Sequence, residues 1–368
     1  MNSFANIRAR FGLHNAWVRL FFEAKRRTAV ILVGLAVTKI ALAPSLSLCC
    51  QAPASGTVSD APQTASQGLR KGAPSRETKH ETSTPADPEW LTAEDLVRQE
   101  KWKDGETVLR KYLGTHADSA DAHAMLGFVL FKESKPRESL HEYTMAAKSR
   151  KPSAFEVKIV ALNYATLGDL QNADKWLTTS LAWDPSDLQG CIRLGEIKEL
   201  RLRLEEAVDV LHQCLILDPR NSYAANALGV SYENLGHFDE AADAFSNAIA
   251  WQSKKTTPDP TPSFNLGRVL LKEDKPQEAL PYLRTVVKLL PENAEAHEQL
   301  GRAYIAMDQL QLGQSEIEKA INLAPEIPRL HYLLGQLYRK EGQGEKARIE
   351  LDRYTALKAA HPRDGPYQ

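Results

Sequence analysis

The chain is poor in the features that staple, charge or catalyse. Only four cysteines occur in 368 residues, too few for a disulfide framework to replace a hydrophobic core. The formal net charge is −1, which leaves no field to draw nucleic acid to the surface. A single apolar run, 28–50, approaches membrane-spanning length, so a multi-span membrane protein is excluded. No His-Glu-x-x-His, phosphate-cradling glycine loop, Cys-x-x-Cys or nucleophile elbow occurs. The sequence therefore offers no metal site, no cofactor site and no catalytic residue. The ten histidines are scattered, and His141-Glu142 and His297-Glu298 are neighbours whose side chains cannot face one another on a helix. What remains is ordinary: 43% hydrophobic and 25% charged residues, the balance of a folded soluble domain rather than a disordered or fibrous chain.

The first 54 residues stand apart. Arg8, Arg10, Arg19, Lys25, Arg26, Arg27 and Lys39 oppose only Glu23, so this segment is +6 and the remainder, in a chain of −1, is −7. Basic residues, an apolar run and then Ala52-Pro53-Ala54 follow the order of an export signal. A cleaved signal peptide, an uncleaved signal anchor and a lipoprotein signal through Cys49 or Cys50 all fit this order. Lys39 weighs against a stable span, since a central charge costs about 2.5–3.5 kcal/mol on insertion scales. Leu48 stands where a lipoprotein signal needs a small residue. Each reading places the body outside the cytoplasm, with membrane contact through this segment alone. Residues 55–85, rich in Ala, Ser, Thr and Pro, read as a flexible linker.

From residue 86 a single unit recurs. Leu-Gly or a close variant appears at Leu126-Gly127, Val160-Ala161, Leu194-Gly195, Leu228-Gly229, Leu266-Gly267, Leu300-Gly301 and Leu334-Gly335, at intervals of 34 except one of 38. Twelve positions after each Gly position stands a small residue: Ser139, Ala173, Ala207, Ala241, Ala279, Gly313, Ala347. Four later comes a large apolar one: Tyr143, Leu177, Leu211, Phe245, Leu283, Ile317, Leu351. Proline closes several units, at Pro152, Pro185, Pro219, Pro291 and Pro325. The small residues let two helix backbones approach, the large ones fill the space between them, and proline ends the second helix. No such hairpin buries its apolar side alone, so hairpins must stack.

With these residues the chain resembles the tetratricopeptide repeat (TPR) family, clearest where Leu228, Gly229, Tyr232, Gly236, Ala241, Phe245 and Ala248 stand in register. The resemblance implies an all-α solenoid of about eight helix-turn-helix units: 86–119, 120–153, 154–187, 188–221, 222–259, 260–293, 294–327 and 328–361, followed by a tail at 362–368. The first unit is degenerate, with Ala93 and Gly105 at its small positions, and a last helix over 346–360 is expected to cap the stack. Departures from the pattern carry their own expectations. Lys198 replaces Tyr and Leu202 replaces the turn Gly of the fourth unit, so Lys198 either snorkels outward or loosens that junction. The four extra residues near 253–262 are a tolerated loop insertion or a slight hinge. Cys191 and Cys214, at equal heights on the two helices of one unit, either pair after export or serve as small buried groups.

In this family the first helix of each unit lines a concave groove that binds peptides. Projecting that rule gives Phe128, Phe131, Lys158 and Leu162 early. It gives Arg193, Glu196, Tyr223, Asn226 and Glu233 in the middle, then Phe264, Asn265, Arg268, Lys272, Arg302, Tyr332, Gln336 and Arg339 late. Asn side chains at such positions can hold a peptide backbone by donating and accepting together. The late cations suggest an acidic partner. The chaperone-binding clamp of the family is absent: the positions that would need Lys, Asn, Asn, Lys and Arg hold Ile192, Glu196, Ala227, Thr261 and Asn265. The expected function is thus a non-catalytic protein-interaction scaffold in the bacterial cell envelope. A membrane-anchored assembly factor or co-chaperone is the alternative, and an accessory enzyme subunit a more distant one.

Overall fold

A computed structural model describes residues 87–252 and 258–360. The expected export signal (1–54), all of the linker (55–85) and the C-terminal tail (362–368) lie outside the described residues. Sixteen α-helices and no strand occur among those described, arranged as eight successive hairpins. They are α1 Pro88–Arg98, α2 Trp102–Thr115, α3 Ala120–Lys132, α4 Pro136–Ser149, α5 Ala154–Thr166, α6 Leu170–Trp183, α7 Leu188–Leu200, α8 Leu204–Leu217, α9 Ser222–Leu235, α10 Phe238–Ala250, α11 Pro260–Lys272, α12 Pro276–Leu289, α13 Ala294–Ala306, α14 Leu310–Leu323, α15 Pro328–Lys340 and α16 Gly344–Ala360.

Local chemistry sets the helix starts. Ser153 and Glu156 close a capping box at α5. The side chains of Ser119, Asp169, Asp187, Asn221, Asp259 and Asn293 accept from the first turns of their helices. Proline opens α1, α4, α11, α12 and α15, where its missing N–H costs nothing. Inside each hairpin the turn places one residue in the left-handed region: Glu100, Ser134, Gly168, Leu202, Gly236, Asp274, Asp308 and Gly342. Only three of the eight are glycine, so the other turns are held against local preference by the packing on either side.

The hairpins close at the small–large pairs read from the sequence. A Cβ on Gly229 would meet the Phe245 ring at 2.7 Å, and one on Gly267 would meet Leu283 at 2.6 Å. Phe245 and Leu283 are fully buried. One core cluster joins Val230, Phe245, Leu266, Leu283, Leu300 and Tyr304, running from the fifth unit to the seventh. It passes the 38-residue interval without a break. The core packing therefore gives no sign of the hinge, one of the two alternatives; the inserted residues 253–257 lie outside the described residues, and at their flanks Gln252 Nε2 donates to the Asp259 carbonyl at 3.0 Å.

The fourth unit also corrects an expectation. Lys198 does not snorkel, and its junction is tied rather than loosened. The residue is 8% exposed; its Nζ lies 3.2 Å from Asp174 Oδ1 of the preceding unit and 2.8 Å from Glu206. Arg201 and Arg203 also reach Asp174. A buried carboxylate needs such partners, because desolvation alone would expel it.

Candidate functional site

Successive first helices pack directly at α3–α5, α7–α9, α9–α11 and α11–α13, and no successive pair of second helices packs to that degree. The stack therefore curves with its first helices inside. The side chains projected from the sequence fall in three zones along that face.

In the early zone Phe128 and Phe155 meet at 5.6 Å between ring centroids, and Trp102 meets Phe128 edge-on at 6.0 Å. Phe131 and Leu162 are partly buried beside Phe128. Lys158 is bound to Asp187 at 2.8 Å.

In the middle zone the side chains find one another. Arg193 and Glu196 pair at 2.7 Å on α7. Asn265 donates its amide to Asn226 Oδ1 at 3.0 Å, linking α11 to α9, and is itself 3% exposed. Glu233 is buried and holds Arg268 at 2.6 Å and Lys272 at 2.7 Å. Tyr223, by contrast, is 66% exposed.

In the late zone buried Glu298 holds Arg302 at 3.2 Å and Arg329 at 2.8 Å. Half-buried Glu295 stands close by, its carboxyl pushed above the ordinary range by burial, with Arg329 and Arg268 pulling the other way. Tyr332 is partly exposed and leans on Tyr354 of the last helix at 5.2 Å. Gln336 and Arg339 line a shallow recess of about 460 Å³ with Ile305, Leu333, Leu337 and Lys340.

Two expectations fail here. Phe264 is not a groove-lining side chain: it is 7% exposed and packs with Val286 and Ala296 inside the stack. The basic late half is also largely neutral, because Arg268, Lys272 and Arg302 are each engaged by a buried glutamate. Arg302 and Glu298 lie four positions apart on α13, but the pairs between helices join residues 31 to 39 positions apart, Glu298 to Arg329 and Glu233 to Lys272. Counting charges along one helix does not reveal them.

Other features escaped the sequence reading. His123, His297 and His331 each set Nδ1 2.6 Å from a glutamate 19 residues on (Glu142, Glu316, Glu350). Each sets Nε2 at 2.9–3.0 Å from the carbonyl six residues back. The carbonyl only accepts, so Nε2 donates in all three. These are staples within and between units; the recurring interval of 19 was their sequence signal. Burial tends to raise the Glu316 carboxyl, yet Lys319 and His297 outweigh it and hold it low. The structure joins Cys191 of α7 to Cys214 of α8 in a disulfide, with Cα atoms 5.7 Å apart and both residues buried.

The comparisons agree with this architecture. Tetratricopeptide repeat profiles match residues 201–255 and 270–326. The human PEX5-related protein is 34% identical over 103 residues, which make up 28% of this chain and 16% of that protein. The chain thus matches about one sixth of that relative's length. A tetratricopeptide repeat protein from Parabacteroides merdae is similar in structure, with TM-score 0.51 and 16% identity over 73% of this chain and 97% of its own. PilW, a type IV pilus biogenesis factor, also gives TM-score 0.51, with 19% identity over 57% of this chain and 94% of its own. At these identities the two structures bear on the fold alone. The chain is an all-α solenoid carrying TPR repeats, the kind of architecture that serves as a protein-interaction scaffold.

Proposed function

We propose that the protein is a non-catalytic scaffold that binds an extended protein segment along the face lined by its first helices. The observation that carries this reading is the character of that face. It keeps large aromatic side chains, Tyr223, Tyr332 and Phe155, exposed over a backbone held rigid by buried ion pairs. Rigid, partly exposed aromatics are the side chains that carry binding energy at interfaces. Among the described residues no group of His, Cys, Asp or Glu could hold a metal ion.

We further propose that the body works outside the cytoplasm. The basic–apolar order of residues 1–54 supports this, as does the Cys191–Cys214 disulfide, a bond that persists in oxidising compartments. Among the described residues no helix is long and apolar enough to cross a membrane; the apolar run 28–50 is the anchor of the tethered form in this reading. In this reading a soluble exported scaffold and a membrane-tethered assembly factor differ only in whether that segment is cleaved.

Site-specific photocrosslinking tests the binding face. A photoreactive amino acid at Tyr223 or Tyr332 should trap a partner in cells, whereas one at Asp209, exposed on second helix α8, should not. Trapping from Asp209 alone would refute the reading. An alkaline phosphatase fused after residue 85 should be active, and an inactive, intact fusion would refute the location.

A further inference from the structure

In the early zone a cation of a first helix sits over aromatic rings without a carboxylate among the described residues. Lys132 Nζ lies 5.5 Å from the centroid of Trp102 and 5.4 Å from that of Phe128. No carboxylate of the described residues is within ion-pair distance of it. The neighbouring cation over Phe155, Lys158 at 5.4 Å, is neutralised by Asp187. Further along the face Arg268, Lys272, Arg302 and Arg329 are all held by Glu233 or Glu298. Phe155, on α5, is 50% exposed and touches Phe128 of α3, so these two rings form a ledge across the first helices of units two and three, with Trp102, at the start of second helix α2, edge-on to Phe128 beside it.

We infer that this ledge, Trp102–Phe128–Phe155 with Lys132, is a recognition site for an extended peptide carrying one bulky apolar residue followed, one or two positions on, by an Asp or Glu. The inference rests on the scaffold reading above and names the ligand chemistry of one part of the same face. The bulky residue lies on the exposed ring of Phe155, and the carboxylate replaces water at Lys132. Burial of that ammonium beside the rings strengthens both contacts, since cation–π and charge-assisted hydrogen bonds gain when water leaves.

Complementarity selects this ligand over the others at hand. The chain's own residues 1–54 are +6 and would bring cations against Lys132. Its residues 55–85 contain no Phe, Tyr or Trp to lie on the ledge. A C-terminal carboxylate suits a closed end, whereas the stack continues past units two and three, through α2 on one side and α7 on the other. The body is −7, so no long-range field draws an acidic ligand in. Affinity therefore comes chiefly from the apolar residue, and Lys132 supplies selectivity.

The test is selection of a random dodecapeptide library displayed by its C-terminal end, which offers no free carboxylate terminus, on the immobilised full-length chain. Enriched peptides should share a bulky apolar residue with Asp or Glu one or two places after it. A fluorescein-labelled enriched peptide should bind Phe155→Ala at least 10-fold more weakly by anisotropy, the loss expected when an anchor is removed. Lys132→Gln should weaken it about 5-fold, the scale of one partly desolvated ion pair, and should leave the Glu→Gln form of the peptide unaffected. Both substituted side chains reach solvent, and circular dichroism checks that the fold is kept. Enriched peptides that ignore both substitutions, with a photocrosslink from Tyr223 intact, would overturn this inference and leave the scaffold reading standing. A chain that self-associates on sizing, and separates on Phe155→Ala, would overturn it in favour of a second copy as occupant.

Discussion

The contact between Gly229 and Phe245 offers a stringent test of how these hairpins are held. In Gly229→Ala the new methyl starts 2.7 Å from two atoms of a ring that is fully buried. That ring is the body of the side chain, not a flexible tip, and it lies in the cluster shared with Leu266 and Leu283. Alanine gains about 1 kcal/mol over glycine in helix propensity, while overpacking costs about 1–3 kcal/mol. The expected result is a net loss of up to about 2 kcal/mol, against the helix-propensity trend.

The third unit shows how the same position accepts a methyl group. There Ala161 stands opposite Leu177, and both are fully buried. The double variant Gly229→Ala/Phe245→Leu copies that pair into the fifth unit. Phe245→Leu alone leaves space behind and costs about 1–2 kcal/mol. Because the methyl fills part of that space, the double variant should be more stable than the sum of the singles by about 1–2 kcal/mol. Urea denaturation of the full chain, followed by far-ultraviolet circular dichroism, measures all four corners of the cycle. Additive single effects would show that the two helices do not meet at this contact and would refute the packing argument.

Three further outcomes are expected. Leu202 is 77% exposed with φ at 60°; Leu202→Gly relieves about 1–2 kcal/mol of left-handed strain and loses about 0.5–1 in chain entropy, so the melting midpoint should rise slightly, and a fall would contradict it. Reducing the Cys191–Cys214 bond, which spans 23 residues, should cost about 3 kcal/mol on the chain-entropy estimate; thiol titration of the denatured, unreduced protein finding both cysteines free would remove the bond from the account. Glu106 is held down to about 2, chiefly by the hydrogen bond from Lys135 against an opposing burial effect. Its contribution is full above the unfolded carboxylate value and is lost as pH falls towards 2, so the midpoint should drop between pH 5 and pH 2, and Glu106→Gln should flatten that drop.

The stacked fold was legible because each hairpin writes its own packing within one period. Gly, small and large residues recur at fixed offsets, and the partners lie 12 to 16 positions apart on a single hairpin. Groove chemistry obeys a different geometry. The partner of Arg268 is 35 residues back and that of Arg329 is 31 back, so each cation depends on which first helix lies beside its own. A projection that treats each helix alone reads Arg268 and Lys272 as available charge, whereas Glu233 holds both. Phe264 shows the same limit for an apolar residue. Its position on α11 points between units because Val286 and Ala296 close over it.

Lys198 joins these observations into one argument about the scaffold. Where most units place an aromatic or aliphatic side chain, the fourth places an ammonium, and the stack answers with Asp174, Glu206, Arg201 and Arg203 gathered at one junction. Replacing such a group by a well-packed apolar one is often neutral or stabilising, whereas removing one partner is costly. Asp174→Ala should therefore destabilise by about 3 kcal/mol, and the double variant Asp174→Ala/Lys198→Leu should recover most of it. Recovery would mean that the ionic junction fixes how unit three sits on unit four without adding net stability. In the proposed reading that alignment sets the line from the ledge at Phe155 to the exposed ring of Tyr223, and so the path of an extended ligand.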